Sequence, residues 1–271
     1  MKKARQPDRG VTLFELLVVL MILSLILTAA VKTWDVTLQR GRFESTQRKL
    51  SQLASVITGD ASRTADGQRI DFGFVGDMGR LPQMLDELVT DPTGLSPEES
   101  NWRGPYVRAT FNESPDGYRI DGWGDTISLN DDSLFVRSYG GYDLTRRDMW
   151  ITRELGYTRD ELVRNTVDGS ILDIRGMPPP ESLLLNHPLR FRAELEYPVS
   201  GVVQPSQAHI DNQARFSFTA VPQGIHLLRV TYIHDTPPPV VTYTATKHVA
   251  VYPGVGAHDL QVRLDLDWNT E

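Results

Sequence analysis

Residues 11–31 read VTLFELLVVLMILSLILTAAV, an apolar run of 21 residues interrupted only by Thr12, Glu15, Ser24 and Thr28. At about 1.5 Å per residue a helix of this length spans roughly 30 Å, the thickness of a bilayer's hydrocarbon core. The ten residues before it hold Lys2, Lys3, Arg5 and Arg9 against Asp8. By the positive-inside rule residues 1–10 are expected to be cytoplasmic and the rest to lie across the membrane. Downstream, Phe43, Thr46, Leu50, Leu53, Ala54 and Ile57 recur at steps of three and four, with Glu44, Arg48, Lys49 and Gln52 between them. This pattern predicts one helix from about Thr12 to Thr58, apolar all round in its first half and amphipathic in its second, with Gly41 as a place for a kink. A cleaved secretory signal also begins basic and turns apolar, and Thr28-Ala29-Ala30 partly matches a cleavage site. The length of the run and the continuing helical period speak against that alternative.

The whole chain has 271 residues and a formal net charge of −7. The leader carries +3, which leaves −10 for everything after Gly10. An acidic body of this kind argues against broad nucleic-acid binding. The chain has no cysteine, which excludes disulfides, thiolate metal sites and cysteine nucleophiles.

Glu15 is the informative polar residue of the run. A carboxylate at the centre of a membrane helix costs about 2.5 to 3.5 kcal/mol and less near an end, so it is expected to have a task. Cleavage after Gly10 would create a cationic amine on Val11. The amine of one chain could then neutralise Glu15 of its neighbour and set the stagger between them. The segment Arg9-Gly10-Val11-Thr12-Leu13-Phe14-Glu15-Leu16-Leu17 resembles the cleavage and methylation motif of type IV pilins and type II secretion pseudopilins. The resemblance implies cleavage after Gly10 by a prepilin peptidase, N-methylation of Val11, and assembly into a filament through the helix. Its implied partners are other pilins, an inner-membrane assembly platform and the lipid bilayer. Its implied location is the inner membrane, crossed once, with the C-terminal part periplasmic or in a filament. The family's first mature residue is usually Phe, and Val11 departs from that.

The middle of the chain mixes aromatic and β-branched residues with Gly and Pro, the grammar of short antiparallel strands and tight turns. The order Met78-Gly79-Arg80-Leu81-Pro82, Trp102-Arg103-Gly104-Pro105-Tyr106, Asp121-Gly122-Trp123-Gly124-Asp125 and Ser138-Tyr139-Gly140 is similar to the head of the major pseudopilin of type II secretion. That likeness implies a small sheet packed on the second half of the helix, with the aromatics in its core. Major subunits of the family bind calcium in a loop after their last strand. Asp121, Asp125, Asp131, Asp132 and Asp143 lie nearby, but Arg146 and Arg147 depart from the family's loop. Calcium is left open, and no ligand is named.

Beyond residue 143, Thr158-Arg159-Asp160-Glu161 has capping-box spacing and predicts a helix through Val167 ended by Asp168-Gly169. Ile171 to Ile174 reads as a strand, and Met177-Pro178-Pro179-Pro180 as a stiff spacer. From Leu189 onward strand-like runs alternate with turns, and 261–268 has strict period two. The segment around Pro222-Gln223-Gly224 resembles carboxypeptidase-regulatory or transthyretin-like β-sandwich modules.

The expected architecture is therefore α+β: a long N-terminal helix on a small antiparallel sheet, followed by an all-β sandwich. The expected division is a leader (1–10), a transmembrane half-helix (11–31), a pseudopilin-like head (32–143), a helix and Pro-rich linker (144–188) and the sandwich (189–271). The six histidines lack metal-ligand spacing, and no phosphate loop or nucleophile elbow is found, so no enzyme is expected. The expected function is a structural subunit, minor or accessory, of a type II secretion or type IV pilus-like filament. The alternative is a surface pilin or adhesin whose sandwich binds protein or carbohydrate. An enzyme anchored by a pilin-like helix is a weaker third reading.

Overall fold

A computed structural model describes residues 13–107, 116–130, 132, 134–142, 145–234 and 240–268. Helix α1 (Leu13–Thr58) runs for 46 residues and passes Gly41 without interruption. Its buried residues are Thr46, Leu50, Leu53, Ala54, Ile57 and Thr58, the face that the spacing marks out. Phe43 is the exception at 44 % exposure, because the packed part of the head begins a turn later. Gly59 stops the helix. It adopts φ 83° and donates its N–H to the Ser55 carbonyl at 2.7 Å. A side chain there would run into the backbone of Asp71 and Phe72, so the position needs glycine.

The head continues through a small hairpin, β1 (Thr64–Ala65) and β2 (Gln68–Arg69), helix α2 (Gly73–Met78) and a 3₁₀ turn at Leu85–Leu88. Its sheet contains β3 (Ser128–Asn130), β4 (Phe135–Ser138) and β5 (Ile151–Glu154), all antiparallel. Leu50, Leu53 and Ile57 of α1 meet Phe74, Met78, Leu88 and Val136 in one core. Burying each such side chain is worth about 1.5 to 3 kcal/mol. Strand β5 lies beyond the expected end of the head at residue 143. Leu155 and Leu162, also beyond it, join the same core.

Helix α3 (Arg159–Val163) begins with the expected capping box: the Glu161 N–H donates to Thr158 Oγ1 at 3.2 Å, and the Thr158 N–H to Glu161 Oε2 at 2.6 Å. It does not reach Val167. Residues from Asn165 form β6 (Asn165–Leu172), whose side chains alternate between buried and half-buried. Two neighbouring strands hydrogen-bond to this segment, and sheet pairing outweighs the helix expected through Val167. Helix α4 (Glu181–Asn186) follows and places Leu184 in the second core. The remaining strands are β7 (Phe191–Val199), β8 (Val202–Ala208), β9 (Arg215–Val221), β10 (Gly224–His234), β11 (Val241–Val251) and β12 (Ala257–Arg263). They form a sandwich of two sheets, ordered β11-β10-β7-β8 and β12-β6-β9. The β12–β6 pair is parallel, whereas the other pairs of the sandwich are antiparallel. Strand β12 ends at Arg263, but backbone bonds continue from Leu264 N to Leu172 O at 2.9 Å and from Ile174 N to Leu266 O at 3.1 Å, and Val262, Leu264, Leu266 and Trp268 all stay buried, so the period-two reading holds through the tail.

The sandwich is docked on the end of the long helix. In the turn between β9 and β10, Gln223 is fully buried, and its Nε2 donates to the carbonyls of Thr58 and Phe72, each at 2.9 Å. Arg69 Nη2 donates to the same Thr58 carbonyl at 2.6 Å. The negative end of the helix dipole thus meets one guanidinium and one amide. Backbone bonds complete the junction: Gln223 N to Leu162 O at 2.8 Å, Gly201 N to Met78 O at 2.9 Å and Gly254 N to Glu161 O at 3.0 Å. Gly79 packs so tightly under the Pro198 carbonyl that no side chain fits. Replacing Gln223 by Ala would leave the Phe72 carbonyl without its amide and the Thr58 carbonyl with Arg69 alone. The expected cost is about 1 to 3 kcal/mol, read from denaturant unfolding of the detergent-solubilised chain against the wild type.

Candidate functional site

The first half of α1 is the outstanding surface. No residue of α1 before Thr46 is buried, and its apolar stretch is long and apolar enough to cross a membrane. Its hydroxyls are satisfied along the helix: Ser24 donates to Met21 O at 2.8 Å, Thr28 to Ser24 O at 2.7 Å and Thr33 to Ala29 O at 2.9 Å. Such back-bonding lets them sit in hydrocarbon without water. Glu15 lies in the first turn, where the helix dipole favours an anion. Gly10 and Val11 lie outside the described residues. Trp34, 70 % exposed between Lys32 and Asp35, stands just past the apolar run, where an amphipathic ring suits a bilayer interface. Sequence reading missed Trp34, although its spacing from residue 31 was the available signal.

Where the helix leaves that zone, the loop at Asp121–Asp125 grips it. The Gly122 N–H donates to Thr46 Oγ1 at 2.8 Å, and Trp123 Nε1 donates to Gln39 Oε1 at 2.8 Å. Gly122 lies directly on the Arg42 backbone, which excludes a side chain. Asp121 shapes this loop: Oδ1 accepts the N–H groups of Trp123 and Asp125 at 2.8 and 2.9 Å, and Oδ2 accepts the Ser138 hydroxyl at 2.5 Å. Lys49 Nζ donates to the carbonyls of Gly117, at 2.7 Å, and Ile120. Burial lowers the Lys49 pKa, against the charge of Asp121, which raises it. Asp121 therefore has a loop-building task. Asp131 and Asp143 lie outside the described residues, and among those described no group of three His, Asp or Glu is placed to hold a metal. The aromatics pack as a core: Trp102 and Tyr106 meet edge to face at 5.8 Å, as do Phe74 and Tyr106 at 5.7 Å.

Of the titratable groups that line the cleft of about 410 Å³ between head and sandwich, beside Phe72 and Ile225, burial shifts two strongly, Asp77 and His226. His226, fully buried, has Nε2 at 2.8 Å from the Pro222 carbonyl, and burial pushes its imidazole down to about 4. Asp77 accepts the Tyr106 hydroxyl at 2.7 Å, and burial pushes its carboxyl up to about 6. His187, His209, His248 and His258 are exposed, and His234 is half-buried. His258 pairs with Asp168, whose hydrogen bond raises the imidazole pKa.

A long helix with a bare apolar half, held by its other half against a small antiparallel sheet, defines a pilin-like protein. Residues 5–31 match the prokaryotic N-terminal methylation motif. Over 139 residues the chain is 30% identical to the type II secretion system core protein G of Xanthomonas campestris pv. campestris, an alignment covering 47% of this chain and 85% of that protein. A crystal structure from Pseudomonas aeruginosa, provisionally described as a carbohydrate-binding protein, covers 38% of this chain and 90% of its own at 14% identity and a TM-score of 0.25, a likeness too low to carry an argument. The chain belongs to the family of type IV pilins and type II secretion pseudopilins.

The two cleft groups should pull stability in opposite directions. His226 has a folded pKa below its unfolded value of 6.5, so the unfolded chain takes up the proton first and stability falls as pH drops from 6.5 to about 4. Asp77 has a folded pKa above its unfolded value of 3.8, so its contribution is present in acid and is lost as pH rises through about 6. Each effect is on the order of 3 kcal/mol, at 1.36 kcal/mol per pKa unit. Urea unfolding midpoints between pH 4 and 6.5 should therefore fall towards acid in Asp77→Asn and rise towards acid in His226→Gln, each relative to the wild type.

Proposed function

We propose that this protein is a pseudopilin-type structural subunit of a type II secretion or type IV pilus-like filament, in a minor or accessory position and without catalytic activity of its own. The observation that carries the reading is the apolar half of α1, bare from Leu13 to Val31 in a single chain. Such a surface needs lipid before assembly and neighbouring helices after it. Prepilin peptidase would cut after Gly10, and the new Val11 amine of one subunit would meet Glu15 of the next. That contact offsets the cost of a carboxylate at this depth and selects one stagger. The remaining partners are other pilins and the inner-membrane assembly platform, with the head and sandwich on the periplasmic side.

The minor position is supported by bulk. The sandwich adds a second core beyond the head, and the junction at Gln223 holds it against the helix end, so neighbours along a filament would have to accommodate it at every position. The chain is divided accordingly into a leader (1–10), the membrane half of α1, a head extending through about Val163, and a sandwich unit from Asn165 onward.

Two measurements test this reading. Mass spectrometry of the membrane-extracted protein should show a chain beginning at Val11, whereas Gly10→Ala should retain Met1 or the full leader. Glu15→Gln should reduce cross-linked oligomers at least several-fold while leaving cleavage intact. A native chain with its leader intact, or unchanged oligomers in Glu15→Gln, would overturn the proposal.

A further inference from the structure

The end of the head nearest the apolar half of α1 carries a group of side chains that neither core uses. Strand β4 runs from Phe135, paired with Glu154, to Ser138, whose hydroxyl bonds Asp121 beside Thr46. Glu154 and Leu155 share a groove with Ser55, Thr58 and Gly59 at the far end of α1. The strand therefore points back towards the N-terminal half of the helix, and the described residues between β4 and β5, 139–142 and 145–150, lie at that end. Gly141 sits against the Trp123 ring, which in turn is tied to Gln39.

On this connection Tyr142 is 44 % exposed, with the Arg146 guanidinium over its ring at 5.3 Å, and Met149 is 36 % exposed. The Arg147 guanidinium lies 5.7 Å from the Trp150 ring. Arg146 also pairs with Asp148 at 3.1 Å. Aromatic rings, a thioether and guanidinium groups together are the composition favoured where hydrocarbon gives way to headgroups. The helix rise sets the depth. From residue 31, the end of the apolar run, to Gln39 is about 12 Å along α1, and the headgroup layer occupies roughly 5 to 8 Å of that. The rim around Trp123 thus stands within a side chain's length of the phosphates.

We infer that this rim, built from Tyr142, Arg146, Arg147 and Met149, docks on the phosphate layer of the same bilayer that α1 crosses. The Arg147 guanidinium meets phosphate oxygens, Arg146, whose fork holds both carboxylate oxygens of Asp148 at 3.1 Å, contributes its stem and its place over Tyr142, and the ring and thioether sit among the glycerol groups. The head would then be held against the membrane at a second point besides the helix, fixing its orientation before assembly. The inference rests on the reading of α1 as a membrane helix.

The cysteine-free chain allows single-cysteine labelling of the full-length protein. A fluorophore is placed at Met149→Cys, at Leu20→Cys in the apolar run, or at Leu95→Cys, two residues from Thr93, which touches Gly201 at the sandwich side. The proteins are reconstituted in phosphatidylglycerol–phosphatidylethanolamine vesicles carrying either a headgroup or a mid-chain nitroxide. Expected results are mid-chain quenching at position 20 and headgroup quenching at position 149 at least threefold above that at position 95. Arg146→Gln with Arg147→Gln should bring position 149 down to the level of position 95. The first comparison involves neither arginine variant, so a folding defect in the double variant would not decide it. Quenching at 20 without quenching at 149 would overturn the docking alone. Absence of quenching at 20 would overturn the membrane reading itself. Self-quenching at 149 that grows with protein density and ignores the lipid nitroxide would assign the rim to a second copy of this chain and overturn the lipid contact.

Discussion

Helix α1 has to satisfy two solvents along one axis. From Leu13 to Val31 it offers nothing but apolar side chains and internally bonded hydroxyls, save for Glu15. From Thr46 onward it presents a single stripe to a protein core. A continuous backbone serves both because an α-helix satisfies its own N–H and C=O groups and leaves the side chains alone to decide the surroundings. The rest of the fold follows from where that backbone ends. The last carbonyls of a helix need donors, and here Arg69 from the head and Gln223 from the sandwich converge on Thr58. Both cores are thus referenced to the same atom.

The parts legible in the sequence are those set by local period or by a motif of fixed spacing. The apolar run, the stripe at Leu50, Leu53 and Ile57, the capping box at Thr158 and the alternation ending at Trp268 were all readable, because each is determined within a few residues. Strand β6 was not. Its NTVDGSIL has no strong alternation in residue type, and its identity as a middle strand comes from β9 and β12, which lie about 50 and 90 residues further on. Strand β5 was missed for a similar reason: Ile151–Glu154 carries one apolar residue and takes its register from β4.

The site shows the same division. Glu15 and the depth of the helix were available from residue order, and Trp34 could have been. The task of Gln223 had no local signal, since a glutamine in a turn is ordinarily a surface residue. Only the approach of two chain segments separated by 165 positions gives it a partner. Asp121 is the converse case, since the sequence leaves calcium open there and names no ligand. A carboxylate near other acids invites thoughts of a cation, whereas here backbone N–H groups and a serine hydroxyl take up both of its oxygens.

The Gln223 clamp has a mechanical corollary. A module tethered by a slack peptide would swing aside when its neighbours moved, and tension on it would merely straighten the tether. A module bolted to the helix terminus behaves as a lever arm: traction on the sandwich loads the helix lengthwise, and any screw motion of the helix sweeps the sandwich around the same axis. The load path to the helix terminus runs through the Gln223 amide on the carbonyls of Thr58 and Phe72, in parallel with the backbone bonds at Met78, Glu161 and Leu162 that tie the sandwich to the head.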